Sequence, residues 1–339
     1  MDDLRQLAQE LVAAAFGRPG PSVGEPTDAN RGRGVFSRVV RVELYWPGGP
    51  LEAPASVVIK TPAPGPNGAA AISSGACSRE ALAYRRVLPA SPVPFPHPYL
   101  VSTAGESASF VLEDLRRHRH VDQLDGLAPD DAASVAEQLA RLHRHWSTSS
   151  DLQRLGVRRA TPGALSPAAL TAGLNALRLR WADASGGVIR AYEELVANRT
   201  ELVTAFADAR PLTLCHGDPR ADNLAFRAGG DAVLYDWQQI AVQFGGADLA
   251  WLTATSLTPH LRRTIERDLL SHYRTSAGEL GWDDYRLGFV LPGLAVLLLA
   301  QREPTDRRSE RFVATSVARI GTALDDLDVA RIRAGSPRD

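Results

Sequence analysis

The sequence predicts an α+β chain of two lobes: a small strand-rich front of roughly 110 residues and a larger, mainly helical remainder. Three observations predict it. Apolar residues roughly alternate from Phe36 to Trp46 and run together again in Val57-Val58-Ile59, the patterns of half-buried and buried strands. From residue 129 onward apolar side chains recur at helical spacing. One short β-like stretch, LTLCHGDPRADNLAFRAGGDAVLYDWQQ (212–239), interrupts those helices. The natural boundary lies near 113–116, giving a front lobe of 1–113, a connecting segment near 110–116 and a rear lobe of 114–339.

MDDLRQLAQELVAAAF opens the chain as an amphipathic helix whose acidic start does not fit a signal peptide. After a Pro/Gly-rich segment the strand at 36–46 turns through PGGP (47–50) and returns as APASVVIKT. TPAPGPNGAAAISSG reads as a flexible loop by composition. SREALAYRRVL reads as a helix capped by Ser78, with Ala81, Tyr84 and Leu88 on one face. ASPVPFPHP is an extended connector, and SASFVLEDL a further strand. In PDDAASVAEQLARLHRHW a Pro and two Asp suit a first turn, and Ala132, Val135, Ala136, Leu139, Leu142 and Trp146 form one buried stripe. Helices are expected at about 166–182 and 186–208, and again from 240 to the end. No internal repeat is present.

The bulk numbers narrow the function classes. The chain has 339 residues, 44% apolar and 23% charged, with a net charge of −1, which gives no reason to expect nucleic acid as the main partner. Two cysteines, Cys77 and Cys215, build neither a disulfide framework nor a zinc pattern, and fit a reducing cytoplasm. The longest apolar stretch, GFVLPGLAVLLLA (288–300), is too short for a bilayer and contains Pro292, so a buried helix is expected and no membrane partner. His118, His120, His143 and His145 are expected to be solvated or capping rather than metal-binding. The arginine cluster at 302–311 reads as a solvated face. Nothing in the sequence sets the oligomeric state.

The chemistry is concentrated in CHGDPRADNLAF…VLYDWQ. Asp218 is followed by Asn223 five residues on and by Asp236 thirteen beyond that. One carboxylate in a polar loop can accept a proton from an attacking hydroxyl. A carboxamide and a second carboxylate are hard oxygen ligands suited to Mg²⁺. Asp236 follows the apolar run Ala232-Val233-Leu234-Tyr235, which would bring it out at a strand end. Together these are the parts that phosphoryl transfer needs.

His216-Gly217-Asp218-x-x-x-x-Asn223 with Asp236-Trp237-Gln238 resembles the catalytic and metal loops of the protein-kinase-like small-molecule phosphotransferases: aminoglycoside phosphotransferases, choline kinases and ecdysteroid-kinase-like proteins. The resemblance covers roughly 30–255. It implies a two-lobed protein-kinase-like fold that uses ATP or GTP with Mg²⁺. Asp218 would be the catalytic base, and Arg220, two residues on, would either touch the γ-phosphate or form a surface salt bridge. Asn223 and Asp236 would be metal ligands. Asp248, in GGADLA, would brace the catalytic loop or cap the next helix, while His216 hydrogen-bonds inside the loop.

Lys60 then acquires a reading. It is the only lysine in the chain; the other 37 basic side chains are arginine. It follows three buried-type residues in a strand, so its ammonium needs a reason to be there. The resemblance implies contact with the nucleotide α- and β-phosphates, steadied by a glutamate on the next helix. Between Glu52 and Glu106 the only acidic residue is Glu80. Gly32 and Gly34, in NRGRGVFS, lie where a glycine-rich phosphate loop belongs but lack its full pattern, so phosphate contact and an ordinary turn both remain open. Phe110–Leu115, with Glu113, falls at the position where backbone groups would pair with a purine edge.

Eight residues separate Asp236 from Gly245, too few for the peptide platform of a protein kinase. The expected acceptor is therefore the hydroxyl of a small molecule, such as an antibiotic or other natural product, held by the helices after 120. Acids (Asp283, Asp284, Glu310) are mixed with many arginines there, which does not favour a polycation. The alternatives are a catalytically inactive nucleotide-binding regulator of the same fold and a protein kinase.

Overall fold

The structure is a computed structural model that describes residues 2–29, 36–49, 53–160, 166–181 and 186–332. The chain divides into two compact units, Met1–Arg119 with Val233–Gln239, and His120–Ala232 with Ile240–Asp339.

The first unit opens with α1 (Asp2–Phe16) and the short strands β1 (Ser22–Val23) and β2 (Thr27–Asp28). β3 (Ser37–Tyr45) and β4 (Ser56–Pro62) follow, then α2 (Pro66–Ser73) and α3 (Ala76–Leu82), and finally β5 (Pro98–Ala104) and β6 (Ser107–Glu113). The sheet order is β1-β3-β4-β6-β5, with β2 also on β3, and every pairing is antiparallel. Alternation explains how it packs. Val40, Val42 and Leu44 of β3, Val57 and Ile59 of β4 and Val111 of β6 form one core with Ala8, Leu11 and Val12, which recur at i, i+3, i+4 along α1. Ile59 faces that core, so the next residue, Lys60, is turned to the opposite face of the sheet. Its register partners are Val39 and Phe110.

The exit from β6 is fixed by Asp114. Arg41 grips its carboxylate with Nε at 2.7 Å and Nη2 at 3.1 Å, and Ser56 Oγ donates at 2.7 Å. Burial alone would raise this carboxyl, but the Arg41 and Ser56 hydrogen bonds outweigh it and hold it below the ordinary aspartate range.

Local chemistry overturns three readings and adds one strand. The segment expected to be a loop contains α2. Pro66 stands in its first turn and three consecutive alanines favour helix, which the Pro/Gly content of the flanks had masked. Gly68 lies so close to the incoming chain that a Cβ there would meet Ala63 O at 1.7 Å. Ser78 does not cap α3; the helix begins at Ala76 behind Gly75, and Ser78 Oγ donates to Glu106 O. Ala81, Tyr84 and Leu88 are nonetheless all buried, as their common face requires. The added strand, β5, pairs with β6 as a hairpin. The helix expected over 186–208 is two, α6 and α7, parted at Asn198 (below).

A two-residue strand, β7 (Arg119–His120), spans the division between the units. The second unit contains α4 (Pro129–Ser147), α5 (Pro167–Arg180), α6 (Gly186–Ala197) and α7 (Arg199–Asp208). The six stripe residues of α4 are all buried. β8 (Leu212–Cys215), β9 (Leu224–Phe226), β10 (Ala232–Leu234) and β11 (Ala241–Phe244) make up the β insert. β11 extends past the expected end at 239 and pairs antiparallel with β8, Cys215 opposite Ala241. Then come α8 (Gly246–Ser256), α9 (Pro259–Ala277), α10 (Trp282–Gly288), α11 (Val290–Leu299) and α12 (Arg307–Asp326). Side-chain caps set several starts: Ser166 on α5, Thr258 on α9, and a reciprocal Asp306–Ser309 box on α12. Pro292 sits in the first turn of α11, where its missing N–H costs nothing, and most of that apolar helix is buried. Among the described residues no helix is long and apolar enough to cross a membrane.

Candidate active site

Within the first unit, β4, α3 and the segment after β10 bring three charges together. Lys60 Nζ lies 2.7–2.8 Å from both Glu80 carboxylate oxygens and 2.7 Å from Asp236 Oδ1. Lys60 is 8% exposed and Glu80 2%. Burial alone would depress the lysine, but the Asp236 and Glu80 carboxylates more than offset it and hold the ammonium above its ordinary value. Glu80 goes the other way from a normal glutamate. Burial pushes its carboxyl up to about 7 against the pull of Lys60, and Asp236 adds to the rise. One ammonium is shared by two carboxylates.

Asp236 is held in a strained backbone conformation, with φ +64°. A left-handed non-glycine residue costs on the order of 1–3 kcal/mol and persists only where its surroundings over-determine it. Here the following turn supplies the constraint. Trp237 is fully buried with its indole N–H donating to Leu234 O, and Arg79 Nε of α3 donates to Gln238 O.

In the second unit the loop after β8 carries Asp218. Both of its carboxylate oxygens accept hydrogen bonds: Oδ1 from Trp251 Nε1 at 2.8 Å, Oδ2 from Asn223 Nδ2 at 3.0 Å and from Arg220 Nε at 3.3 Å. Asn223 Nδ2 also donates to the Asp218 carbonyl at 2.9 Å, which closes the loop on itself. Arg220 reaches Asp222 as well, and its guanidinium lies over the Phe312 ring. The Asp218 N–H donates to His216 Nδ1 at 3.2 Å, so that nitrogen carries no proton, and the imidazole acts inside the loop.

Beneath the loop, Asp248 of α8 accepts the backbone N–H of His216 at 2.7 Å and of Gly217 at 2.9 Å. His143 Nε2 meets the same carboxylate at 3.2 Å, and Tyr273 OH meets His143 Nδ1 at 2.7 Å. His143 is therefore neither solvated nor a cap: it is 2% exposed and belongs to this strut. Ligand atoms of His143, Cys215 and Asp248 lie within 4.8 Å of one another, but the histidine and aspartate are already hydrogen-bonded and burial pushes the Cys215 thiol up, away from the thiolate a metal needs. The arginines at 302, 307 and 311 are exposed, whereas Arg308 reaches Asp122 at 2.8 Å.

The remaining expected residues sit apart from these clusters. Glu113 ends β6, where its carboxylate accepts the His97 N–H at 3.1 Å while its own N–H donates to His97 O. Gly32 and Gly34 lie outside the described residues. Sequence reasoning missed Trp251, His143, Tyr273 and Ser256, whose Oγ accepts the Ala221 N–H at 2.9 Å. The available signal was spacing along α8. Asp248, Trp251 and Ser256 lie at i, i+3 and i+8, on the side of the helix facing residues 216–221.

Asn223 uses its amide nitrogen for the loop, so its carbonyl oxygen is the atom it could offer a hard divalent cation, and in the other unit Asp236 carries a carboxylate of the same ligand type.

Comparison with known proteins gives the family and the fold. The phosphotransferase enzyme family matches residues 57–286, well over half of the chain, and the chain belongs to that family. Among curated proteins none matches. Solved structures share the fold. A choline/ethanolamine kinase family protein from Mesorhizobium loti is 17% identical, with a TM-score of 0.59 over 96% of this chain and 98% of that one. Amicoumacin kinase hAmiN, in complex with AMP-PNP, Ca²⁺ and Ami, is 13% identical, with a TM-score of 0.57 over 96% and 94%. The GDP and kanamycin complex of APH(2")-IIia is 11% identical, with a TM-score of 0.57 over 96% and 99%. The fold class is that of the protein-kinase-like phosphotransferases, with a β-rich unit and a larger helical one.

Proposed function

We propose that this chain is a Mg²⁺-dependent kinase that transfers the γ-phosphoryl group of ATP or GTP to a hydroxyl of a small molecule. The observation that carries the reading is the buried Lys60–Glu80–Asp236 cluster, built around the one lysine in the chain and closed by a strained aspartate. A buried ammonium between two carboxylates is poised to exchange a carboxylate for phosphate oxygens. Lys60, steadied by Glu80, binds the nucleotide phosphates. Asn223 and Asp236 each offer an oxygen to Mg²⁺, which when bound neutralises charge on the phosphates. Asp218 orients the acceptor hydroxyl. As the hydroxyl oxygen bonds to the γ-phosphorus and the bond from that phosphorus to the bridging oxygen breaks, the hydroxyl proton passes to the Asp218 carboxylate and the nucleoside diphosphate leaves. Arg220, over Phe312 and against Asp218, is placed to follow the γ-phosphate charge.

A small acceptor is supported by the segment after Asp236. It consists of a single turn (Trp237–Gln239) and β11 before α8 begins, with no extended platform for a peptide. We expect a screen of hydroxylated antibiotics, sugars, nucleosides and amino alcohols, followed by ADP or GDP release and mass spectrometry, to find an acceptor that gains one phosphate. Asp218→Asn should abolish turnover with little change in nucleotide affinity. Near-normal transfer by that variant overturns the assignment of the base, and an absence of Mg²⁺-dependent nucleotide consumption with every acceptor overturns the kinase reading.

A further inference from the structure

The loop that carries Asp218 is measured out along one helix. Asp248 of α8 holds the backbone of His216 and Gly217, Ser256 holds the N–H of Ala221, and between them Trp251 reaches the Asp218 side chain itself. The three contacts do different work. Those of Asp248 and Ser256 fix where the loop runs, while the Trp251 indole N–H, 2.8 Å from Oδ1, fixes which way the carboxylate is turned. The other oxygen, Oδ2, is shared by Asn223 and Arg220, two side chains with further partners in Asp218 O and Asp222. Oδ1 has the indole. An indole N–H is a donor only and has no second geometry to offer, so it holds the oxygen without competing for a proton.

We propose that Trp251 is a positioning residue for phosphoryl transfer, setting the rotation of the Asp218 carboxylate that takes the acceptor hydroxyl's proton. The proposal rests on the reading of Asp218 as the base. It assigns catalytic work to a residue that lies outside the HGD-x4-N and DWQ motifs. Orientation matters at this point because a reacting group misplaced by about 1 Å costs on the order of 100-fold in rate.

Trp251→Phe keeps a ring on α8 and removes the N–H. With the acceptor found by screening, and with water as acceptor in slow hydrolysis of ATP or GTP, we expect kcat to fall about 10- to 100-fold. Nucleotide affinity by calorimetry should change by less than about twofold, because the phosphates are not held by this side chain. A loss confined to the acceptor KM, with hydrolysis intact, would make Trp251 a mere wall of the acceptor site and overturn the proposal. A second measurement needs no turnover. In the full-length protein labelled with ¹⁵N-tryptophan, the indole resonance absent from Trp251→Phe should move upfield in Asp218→Ala, as a proton released from a carboxylate does. An unmoved resonance, or full turnover by Trp251→Phe, overturns the proposal while leaving the kinase reading intact. If the wild-type protein consumes no nucleotide with any acceptor, both fall, even with the hydrogen bond present.

Discussion

Lys60 and Asp236 are 176 positions apart in sequence, and their Nζ and Oδ1 atoms are 2.7 Å apart. The contact is part-buried, and a second carboxylate, Glu80, faces the same ammonium at the same distance. The lysine therefore sits between two carboxylates, Glu80 buried and Asp236 part-buried. Removing one partner from a buried ion pair costs about 3–5 kcal/mol, because the other is left uncompensated. For Lys60→Met the penalty has a pH signature. Protonating one of the stranded carboxylates relieves it, so denaturant unfolding should show a larger loss relative to wild type at about pH 8 than at about pH 5. Equal losses at both values would show that the two acids do not feel each other.

Glu80 makes a separate prediction in the wild-type protein. Its folded pKa is raised to about 7 from the ordinary 4.5. An acid raised on folding stabilises fully below its unfolded value, and that contribution is lost as pH rises through the folded one. The window runs from 4.5 to about 7. Lys60, raised in turn, contributes stability below its ordinary value of 10.5 and loses it only above, so it does not act in this window. Glu80→Gln fixes the neutral form. The stability of wild type relative to this variant should therefore decline between those two pH values, by roughly 3 kcal/mol at most. A difference that stays flat or rises with pH would mean that Glu80 is ionised throughout.

Much of this was legible because it is written in local pattern. β3 follows from alternation, β4 from a continuous apolar run, and α4 from a six-residue apolar stripe. The meeting of Lys60 and Glu80 follows from counting acids between residues 52 and 106. What escaped was non-local or masked by composition. α2 hid in a Pro/Gly-rich stretch because a proline that breaks a helix interior favours a helix start. β5 and β11 are defined by their partners, β6 and β8, rather than by their own periodicity. The break at Asn198 separates two helices that share a continuous helical composition. Trp251 and His143, the latter read as solvated or capping, escaped for a related reason: each acts on residues distant in sequence, which helical spacing alone does not reveal.

Gly245 shows how tightly the strut beneath the loop is packed. Its backbone is ordinary, but a Cβ there would lie 2.1 Å from Tyr273 OH and 2.8 Å from His143 Nδ1, in the hydrogen bond that orients the histidine against Asp248. Gly245→Ala should therefore destabilise the second unit by about 1–3 kcal/mol through overpacking, and should lower turnover through Asp248 and the His216–Gly217 backbone. Tyr273→Phe alone should cost about 1 kcal/mol for the lost hydrogen bond. In Gly245→Ala/Tyr273→Phe the worst clash is gone, so the double variant should be more stable than the sum of the two losses requires, a coupling read directly from a thermal or denaturant double-mutant cycle. Strict additivity would show that the alanine methyl is accommodated elsewhere and that the contact between Tyr273 and His143 is not what excludes a side chain at position 245.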